Sequence, residues 1–144
     1  MRVQQILAMK PSFDVVTVTP DNKLGEVINV LATKKIGAVV VSADGTSVVG
    51  ILSERDVVRE LAKRGVACET LPVSEVMTAD PVTCDPGEDS DEVFRLMTEG
   101  RFRHLPVVKD GAMVGLISIG DVVKAQLAEL AMEKSALEGM IMGH

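Results

Sequence analysis

The apolar positions of the chain change period several times, and each change marks an element. Val15–Thr19 is a short β-rich run closed by Pro20. Leu24, Val27, Ile28 and Leu31 then fall at helical spacing on an otherwise polar segment, the pattern of a helix with one buried stripe. Ile36–Ser42 is a continuous β-branched apolar run, which predicts a strand covered on both faces. Ala43–Thr46, with Asp44-Gly45 inside it, reads as a hairpin turn, and Val48–Leu52 as the return strand. Ser53 opens a helix that runs to about Lys63 and is stopped by Gly65.

The order strand, helix, strand, strand, helix then recurs. Its second round is Pro81–Cys84, a helix over Glu88–Glu99, strands His104–Val108 and Met113–Ile117, and a helix from Ser118 onward. Asp89, Asp91 and Glu92 stand near the positive end of the second round's first helix, where carboxylates are favoured. The residues repeat as well as the elements. Val16-Thr17-Val18-Thr19-Pro20 matches Val82-Thr83-Cys84-Asp85-Pro86, with the prolines 66 positions apart (86 − 20). Glu26-Val27 meets Glu92-Val93, Ile36 meets Phe102, and Asp44-Gly45 meets Asp110-Gly111 at the same offset. After the loss of one residue, Val49-Gly50-Ile51-Leu52-Ser53 meets Val114-Gly115-Leu116-Ile117-Ser118, and Asp56-Val57-Val58 meets Asp121-Val122-Val123. Upstream, Val3-Gln4-Gln5-Ile6-Leu7 resembles Val73-Ser74-Glu75-Val76-Met77.

A unit of about 50 residues buries too little surface to be stable alone. Two such units are therefore expected to pack about a pseudo-twofold axis, leaving two related clefts at their seam, where small ligands bind. The fold class is α+β: two βαββα repeats with an extended C-terminal helix. The expected divisions are 1–70 (first repeat, with an N-terminal helix or linker), 71–130 (second repeat) and 131–144 (helical tail).

Composition narrows the function. Hydrophobic residues make up 47% and charged residues 25% of 144 positions, values of a globular chain. Aromatics are only 2% (Phe13, Phe94 and Phe102), so aliphatic residues and eight Met must fill the core. A net charge of −6 argues against nucleic acid and against an anionic membrane surface as partners. Cys68 and Cys84 lack metal or redox-pair spacing and read as reduced thiols. Lys10, Pro11 and Asp14 interrupt any signal-like apolar run, and no stretch is long enough to span a bilayer. A cytoplasmic location is expected.

Two Ser-x-x-Asp strings carry the candidate chemistry: Ser53 with Asp56, and Ser118 with Asp121. A ribose offers two neighbouring hydroxyl donors, and one carboxylate accepts both. Each acid stands in the first turn of a helix that follows a strand, beside backbone N–H groups that attract phosphate. Because the carboxylate itself repels phosphate, a basic residue is needed nearby; Arg55, Arg101 and Arg103 are candidates. An apolar slot for a base is available at Val16-Thr17 and Val82-Thr83, and at Ile36-Gly37-Ala38 and His104-Leu105-Pro106. An isolated Ser-x-x-Asp is first of all a helix cap. Its recurrence in both copies, each time after a glycine and an apolar strand, turns the reading toward ligand binding.

The strings Gly50-Ile51-Leu52-Ser53-Glu54-Arg55-Asp56 and Gly115-Leu116-Ile117-Ser118-Ile119-Gly120-Asp121, with Arg103-His104-Leu105-Pro106-Val107 and Val76-Met77-Thr78, are similar to the signature of cystathionine-β-synthase (CBS) domains. The resemblance covers about residues 1–130. It implies a Bateman module, a tandem pair that binds AMP, ATP, NAD or a related adenosyl ligand. Ser53 with Asp56 and Ser118 with Asp121 would hold the ribose and nearby phosphate, and modules commonly pair into flat discs.

Val16, Thr17, Ile36, Ala38, Val82, Thr83, Arg55, Arg103, His104, Leu105 and Pro106 complete the expected nucleotide site, with no obligatory cofactor and no metal. From Asp121 to Met142 the chain reads as one long helix whose exposed apolar side suits a homodimer. The function this suggests is a non-catalytic, adenine-nucleotide-binding regulatory or energy-sensing module acting on an unidentified protein. A ligand-independent dimeric scaffold is the alternative. Catalysis is not expected: the chain has two histidines, His104 and His144, and no nucleophile–base set or glycine-rich phosphate loop.

Overall fold

The computed structural model describes residues 1–11 and 15–143; Phe13, Asp14 and His144 lie outside the described residues. The first copy contains β1 (Thr17–Val18), α2 (Leu24–Lys34), β2 (Ala38–Val41), β3 (Gly50–Ser53) and α3 (Glu54–Arg64). It is preceded by α1 (Val3–Met9). The second contains α4 (Ser90–Gly100), β5 (His104–Lys109), β6 (Ala112–Ser118) and α5 (Ile119–Ile141). Between them run two short 3₁₀ turns, Gly65–Thr70 and Val73–Glu75, and β4 (Thr78–Ala79). The expected α+β pair of repeats with a long last helix is the architecture found.

The two sheets differ in extent. In the first copy β1 pairs parallel with β2, β2 antiparallel with β3, and β3 antiparallel with β4. In the second, β5 and β6 form a hairpin with a bulge between Val107 and Val108. The strand expected at Pro81–Cys84 is reduced to one parallel bridge, Cys84 to Val107. The cause is a single residue. Val40 N–H donates to Val16 O at 3.1 Å, but the repeat partner of Val40 is Pro106, which has no N–H to give. The bonds around Cys84 survive: its N–H donates to Pro106 O at 3.0 Å, and Val108 N–H donates to Cys84 O at 2.9 Å. The first copy's return strand starts at Gly50 rather than Val48. Asp44 explains the delay, because its carboxylate accepts the Thr46 and Ser47 N–H groups at 2.9 and 2.8 Å and organises the loop before the strand.

Two apolar cores result, and each takes residues from the other copy's leading segment. Val3 and Ile6 of α1 pack with Cys84, Val93, Met97, Leu105, Val107, Ile117 and Val122. Val73, which precedes the second copy, packs with Val18, Leu24, Val27, Val39, Val41, Leu52 and Cys68 of the first. The backbone bonds match residue for residue. Val3 N–H reaches Glu88 O, and Val73 N–H reaches Asn22 O, at 2.9 and 2.8 Å. Gln4 N–H reaches Pro86 O, and Ser74 N–H reaches Pro20 O. Ser90 N–H reaches Met1 O, and Leu24 N–H reaches Leu71 O. The leading segments are exchanged between the copies.

The repeated glycine before each Ser-x-x-Asp permits this exchange. A Cβ on Gly115 would come within 2.8 Å of Leu7 Cδ2. One on Gly50 would overlap the Met77 sulfur and stand 3.1 Å from Thr78 O. Leu7 and Met77 hold matching places in the two leading segments. Ile6→Ala is therefore expected to destabilise the chain by about 2–5 kcal/mol. In native-state hydrogen exchange the protection should be lost in α4 and β5, which Ile6 touches through the core, and not in α2 of its own copy. Equal loss in both copies would show that the exchange does not partition the cores.

Candidate functional site

Each final helix begins with the same local structure. Ser53 is in extended backbone at the N-cap of α3, and its Oγ accepts from Asp56 N–H at 3.4 Å. The Asp56 carboxylate accepts in return from Ser53 N–H at 2.9 Å and Ser53 Oγ–H at 3.1 Å. At α5, Ser118 Oγ accepts from Asp121 N–H at 3.1 Å, and the Asp121 carboxylate from Ser118 N–H at 2.9 Å. Both acids are thus capping-box partners held in one orientation. Asp56 is 8% exposed; a charge that buried needs such partners.

The helix ends are tied to the first residues of the inner strands. Glu54 N–H donates to Gly37 O, and Ile119 N–H to Arg103 O, both at 2.9 Å. The first and third N–H groups of each helix are therefore already engaged. The helix ends hold fewer open donors for a phosphate than the sequence reading assumed, and the phosphate-binding role falls to side chains.

Two clefts lie along the seam. The larger, about 370 Å³, is lined by Ser53, Asp56, Glu54, Arg55 and Arg59 of the first copy, and by Pro81, Val82, Phe102, Arg103 and His104 of the second, with Thr78, Asp80 and Arg101 at its rim. The smaller, about 260 Å³, is lined by Val15, Val16, Ile36, Gly37 and Ala38 of the first copy, Ser118, Leu116, Gly115 and Val114 of the second, and Leu7 and Lys10 of the leading segment. These sizes lie at the lower end of small-ligand sites. In the larger cleft the acid of the first copy faces the strand entrance of the second; in the smaller, the capping serine of the second copy faces the strand entrance of the first.

Of the residues singled out from the sequence, Ser53, Asp56, Arg55, Val82, Arg103 and His104 meet in the larger cleft. Val16, Ile36, Ala38, Ser118 and again His104 meet in the smaller. Asp121 does not line the smaller cleft itself but is hydrogen-bonded to two residues that do, Ser118 and Lys10. Thr17 and Thr83 are exposed and line neither cleft, while Leu105 and Pro106 are buried within β5. Phe102, Arg59, Asp80 and Lys10 were not anticipated as lining. Phe102 is the repeat partner of Ile36, so the 66-residue offset points to it. Lys10 has no partner: residues 8–14 separate Leu7 from Val15, where residues 78–80 alone separate Met77 from Pro81.

The clefts differ in charge. Four arginines, Arg55, Arg59, Arg101 and Arg103, border the larger one beside Glu54, Asp56 and Asp80. Arg59 Nη1 stands 3.2 Å from Asp56 Oδ1. In the smaller cleft Lys10 is the one charged lining residue among those described. Its ammonium donates to Asp121 Oδ2 at 2.9 Å and to Leu116 O at 2.8 Å. Burial pushes the Asp121 carboxyl up, but the Ser118 N–H and the Lys10 ammonium outweigh burial and hold it below its ordinary value.

His104 and Gly37 line both clefts and form the partition between them. A Cβ on Gly37 would lie 3.3 Å from the imidazole. Burial lowers the His104 pKa. Glu54 and Asp121 oppose that shift, and Lys10 and Arg103 add to it. The ring is neutral at pH 7 and can both donate and accept a hydrogen bond. Among the described residues no three His, Cys, Asp or Glu side chains are grouped to hold a metal ion.

The family model for the CBS domain matches the chain twice, over residues 3–63 and 73–128. The chain belongs to the CBS-domain family. A solved CBS-domain protein, ATU1752 from Agrobacterium tumefaciens, is 45% identical, covers 88% of this chain and 99% of its own, and superposes with a TM-score of 0.83. The CBS domain protein PAE2072 from Pyrobaculum aerophilum, complexed with AMP, is 28% identical, with a TM-score of 0.78 over 92% of this chain and 99% of its own. The mitochondrial CBS domain-containing protein CBSX3 of Arabidopsis thaliana is 33% identical over 87% of this chain and 63% of its own length. The chain spans less than two thirds of the first curated relatives it matches. In this CBS pair both copies keep the Ser-x-x-Asp.

The state of the partition can be read directly. The His104 ring is expected to titrate below about 6.5 when its carbon-bound proton is followed by NMR. The sign for stability follows: the unfolded chain takes up this proton first. Stability is therefore lost as the pH falls through the ordinary histidine pKa, and levels off below the folded one. His104→Gln should flatten that part of the pH–stability curve. A ring titrating above 6.5 would contradict the burial seen here.

Proposed function

We propose that this CBS pair is a non-catalytic regulatory module that binds an adenine nucleotide, of AMP, ATP or NAD type, between its two copies and reports occupancy to a partner protein. The observation that carries the reading is the composite build of the larger cleft. The rigidly capped Asp56 carboxylate of the first copy stands opposite the apolar strand entrance of the second, with arginines beside it. The acid suits the ribose diol, the strand entrance suits the flat face of a purine, and the guanidinium groups suit phosphate. The AMP complex of PAE2072, a protein of the same architecture, supports the choice of an adenine nucleotide. Because a ligand in either cleft touches both copies, occupancy shifts the population of their relative arrangements, which a partner can sense.

A homodimer is part of this reading. Val58 of α3 and its repeat partner Val123 of α5 are 65% and 40% exposed, and Leu127 and Leu130 of α5 are 60% and 59% exposed. These exposed apolar residues on the two final helices want a cover, and a second copy offers the same residues. Leu127→Asp with Leu130→Asp is expected to convert the protein to monomers in light scattering. A wild type already monomeric at micromolar concentration would remove this part of the proposal.

A second reading, a ligand-independent dimeric scaffold, is favoured by one observation: the Asp56 and Asp121 carboxylates are already engaged as caps. Calorimetry with AMP, ATP and NAD separates the two. Wild type should bind at least one of them. Asp56→Asn, which keeps a side-chain oxygen to accept the Ser53 N–H, should weaken binding to the larger cleft by roughly 10–100-fold, the worth of one charge-assisted hydrogen bond. No heat and no thermal shift with any of the three ligands would leave the scaffold as the account.

A further inference from the structure

We propose that Lys10 sets the ligand class of the smaller cleft: its ammonium leaves the Asp121 carboxylate for the phosphate of an incoming nucleotide, so the cleft takes phosphorylated adenosine and rejects the bare nucleoside. The proposal rests on the nucleotide reading above and deepens it for this one site.

The argument starts from the insertion. The leading segment of the first copy continues through residues 8–14 before the strand entrance at Val15, while the matching connection in the second copy is residues 78–80 alone. The extra length delivers Lys10 to a place that has no equivalent in the larger cleft. There Lys10 Nζ bonds Leu116 O at 2.8 Å and Asp121 Oδ2 at 2.9 Å. The Lys10 and Asp121 side chains are 29% and 17% exposed. The oxygen that Lys10 occupies is the one already accepting from Ser118 N–H, on the carboxylate that a ribose diol needs. The chain's own cation therefore already stands on the acid, at Oδ2.

A neutral nucleoside must share that carboxylate with Lys10 or displace it. Displacement strands an ammonium in a half-buried, mostly apolar cleft with no new counter-charge, which is costly. A nucleotide brings the counter-charge with it. The freed ammonium meets the phosphate, and the carboxylate turns to the diol. Lys10 thus penalises adenosine and favours AMP. In the larger cleft the acid's partner is Arg59, on the same helix and 71% exposed. Its guanidinium is open to solvent and moves away without being stranded in an apolar cleft, so the same discrimination is not built in.

The test uses calorimetry of AMP and of adenosine on full-length protein carrying Asp56→Asn, which confines tight binding to the smaller cleft. The parent should prefer AMP by at least about 10-fold, the worth of one charge-assisted contact. Adding Lys10→Gln, which keeps a donor for Leu116 O, should weaken AMP, leave adenosine equal or tighter, and bring the ratio near one. Lys10→Arg in its place should restore the preference. An unchanged ratio in Lys10→Gln, an equal loss of both ligands, or a parent that binds adenosine as tightly as AMP overturns the role of Lys10. So does wild type binding AMP while the Asp56→Asn parent binds neither ligand, since the smaller cleft is then no site. Failure of the wild type itself to bind AMP is a different result, and it removes the nucleotide reading on which the proposal stands.

Discussion

The exchange of leading segments is the constraint on which the seam depends. Val3 and Ile6 complete the core of the copy they do not belong to, and Val73 does the same in return. The backbone bonds that hold them repeat pair by pair across the two copies. Neither copy can close its core while the other is absent, so the interface is folded with the domains rather than formed between finished ones. That is how units of about 50 residues escape the instability expected of their size. It also holds the clefts in place. Leu7 packs over Gly115 and Met77 over Gly50, one glycine and two apolar positions ahead of the serine that caps each final helix. The strand carrying each acid is therefore pinned by the other copy's leading residues.

Pseudo-symmetry then sets what the two clefts share, and its breaks set how they differ. Shared are the serine that caps each final helix and the apolar strand entrance opposite it. The breaks fall at a few repeat pairs. Glu54-Arg55 corresponds to Ile119-Gly120, Arg103 to Gly37, and His104 to Ala38. Glu54, Arg55 and Arg103 put charge on the larger cleft that the smaller lacks, while His104 and Gly37 line both. The smaller cleft is left apolar, with one ion pair brought in by an insertion. Two sites on one repeated plan have become chemically unlike through a few side chains and one insertion, as expected when function resides in what is placed on a common scaffold.

Most of the architecture was legible because the apolar pattern repeats with the residues. A helix stripe at Leu24, Val27 and Leu31, or a buried run at Ile36–Ser42, reads the same way in both copies. What escaped was set by single atoms or by tertiary exchange. The strand before α4 shrinks because Pro106 lacks one N–H. The return strand starts late because Asp44 ties down the loop ahead of it. The pairing of each capping serine with the opposite copy's strand entrance was hidden, since a repeat alone does not say whether like or unlike halves face one another. Thr17 and Thr83 flank Val16 and Val82 in the sequence, but they are exposed and line neither cleft. Leu105 likewise flanks His104 and is buried within β5. Lys10 carried no signal at all, since the segment that delivers it is the one place where the copies do not align.

The capping role of the acids and their binding role draw on the same geometry. A carboxylate has room for about four hydrogen bonds. The cap takes one or two of these on a single oxygen, Oδ2, at both Asp56 and Asp121. Those bonds are local, lie within one turn, and require no ligand. They fix the side-chain rotamer before anything binds, which lowers the ordering cost that a flexible acid would carry. What remains is the second oxygen and whatever cation sits near the acid. At Asp56 that cation is a solvent-exposed arginine on the same helix; at Asp121 it is a half-buried lysine from the far end of the chain. Two acids in matching caps therefore present different faces to a ligand. The difference lies in how hard each counter-ion is to move, not in the acids themselves.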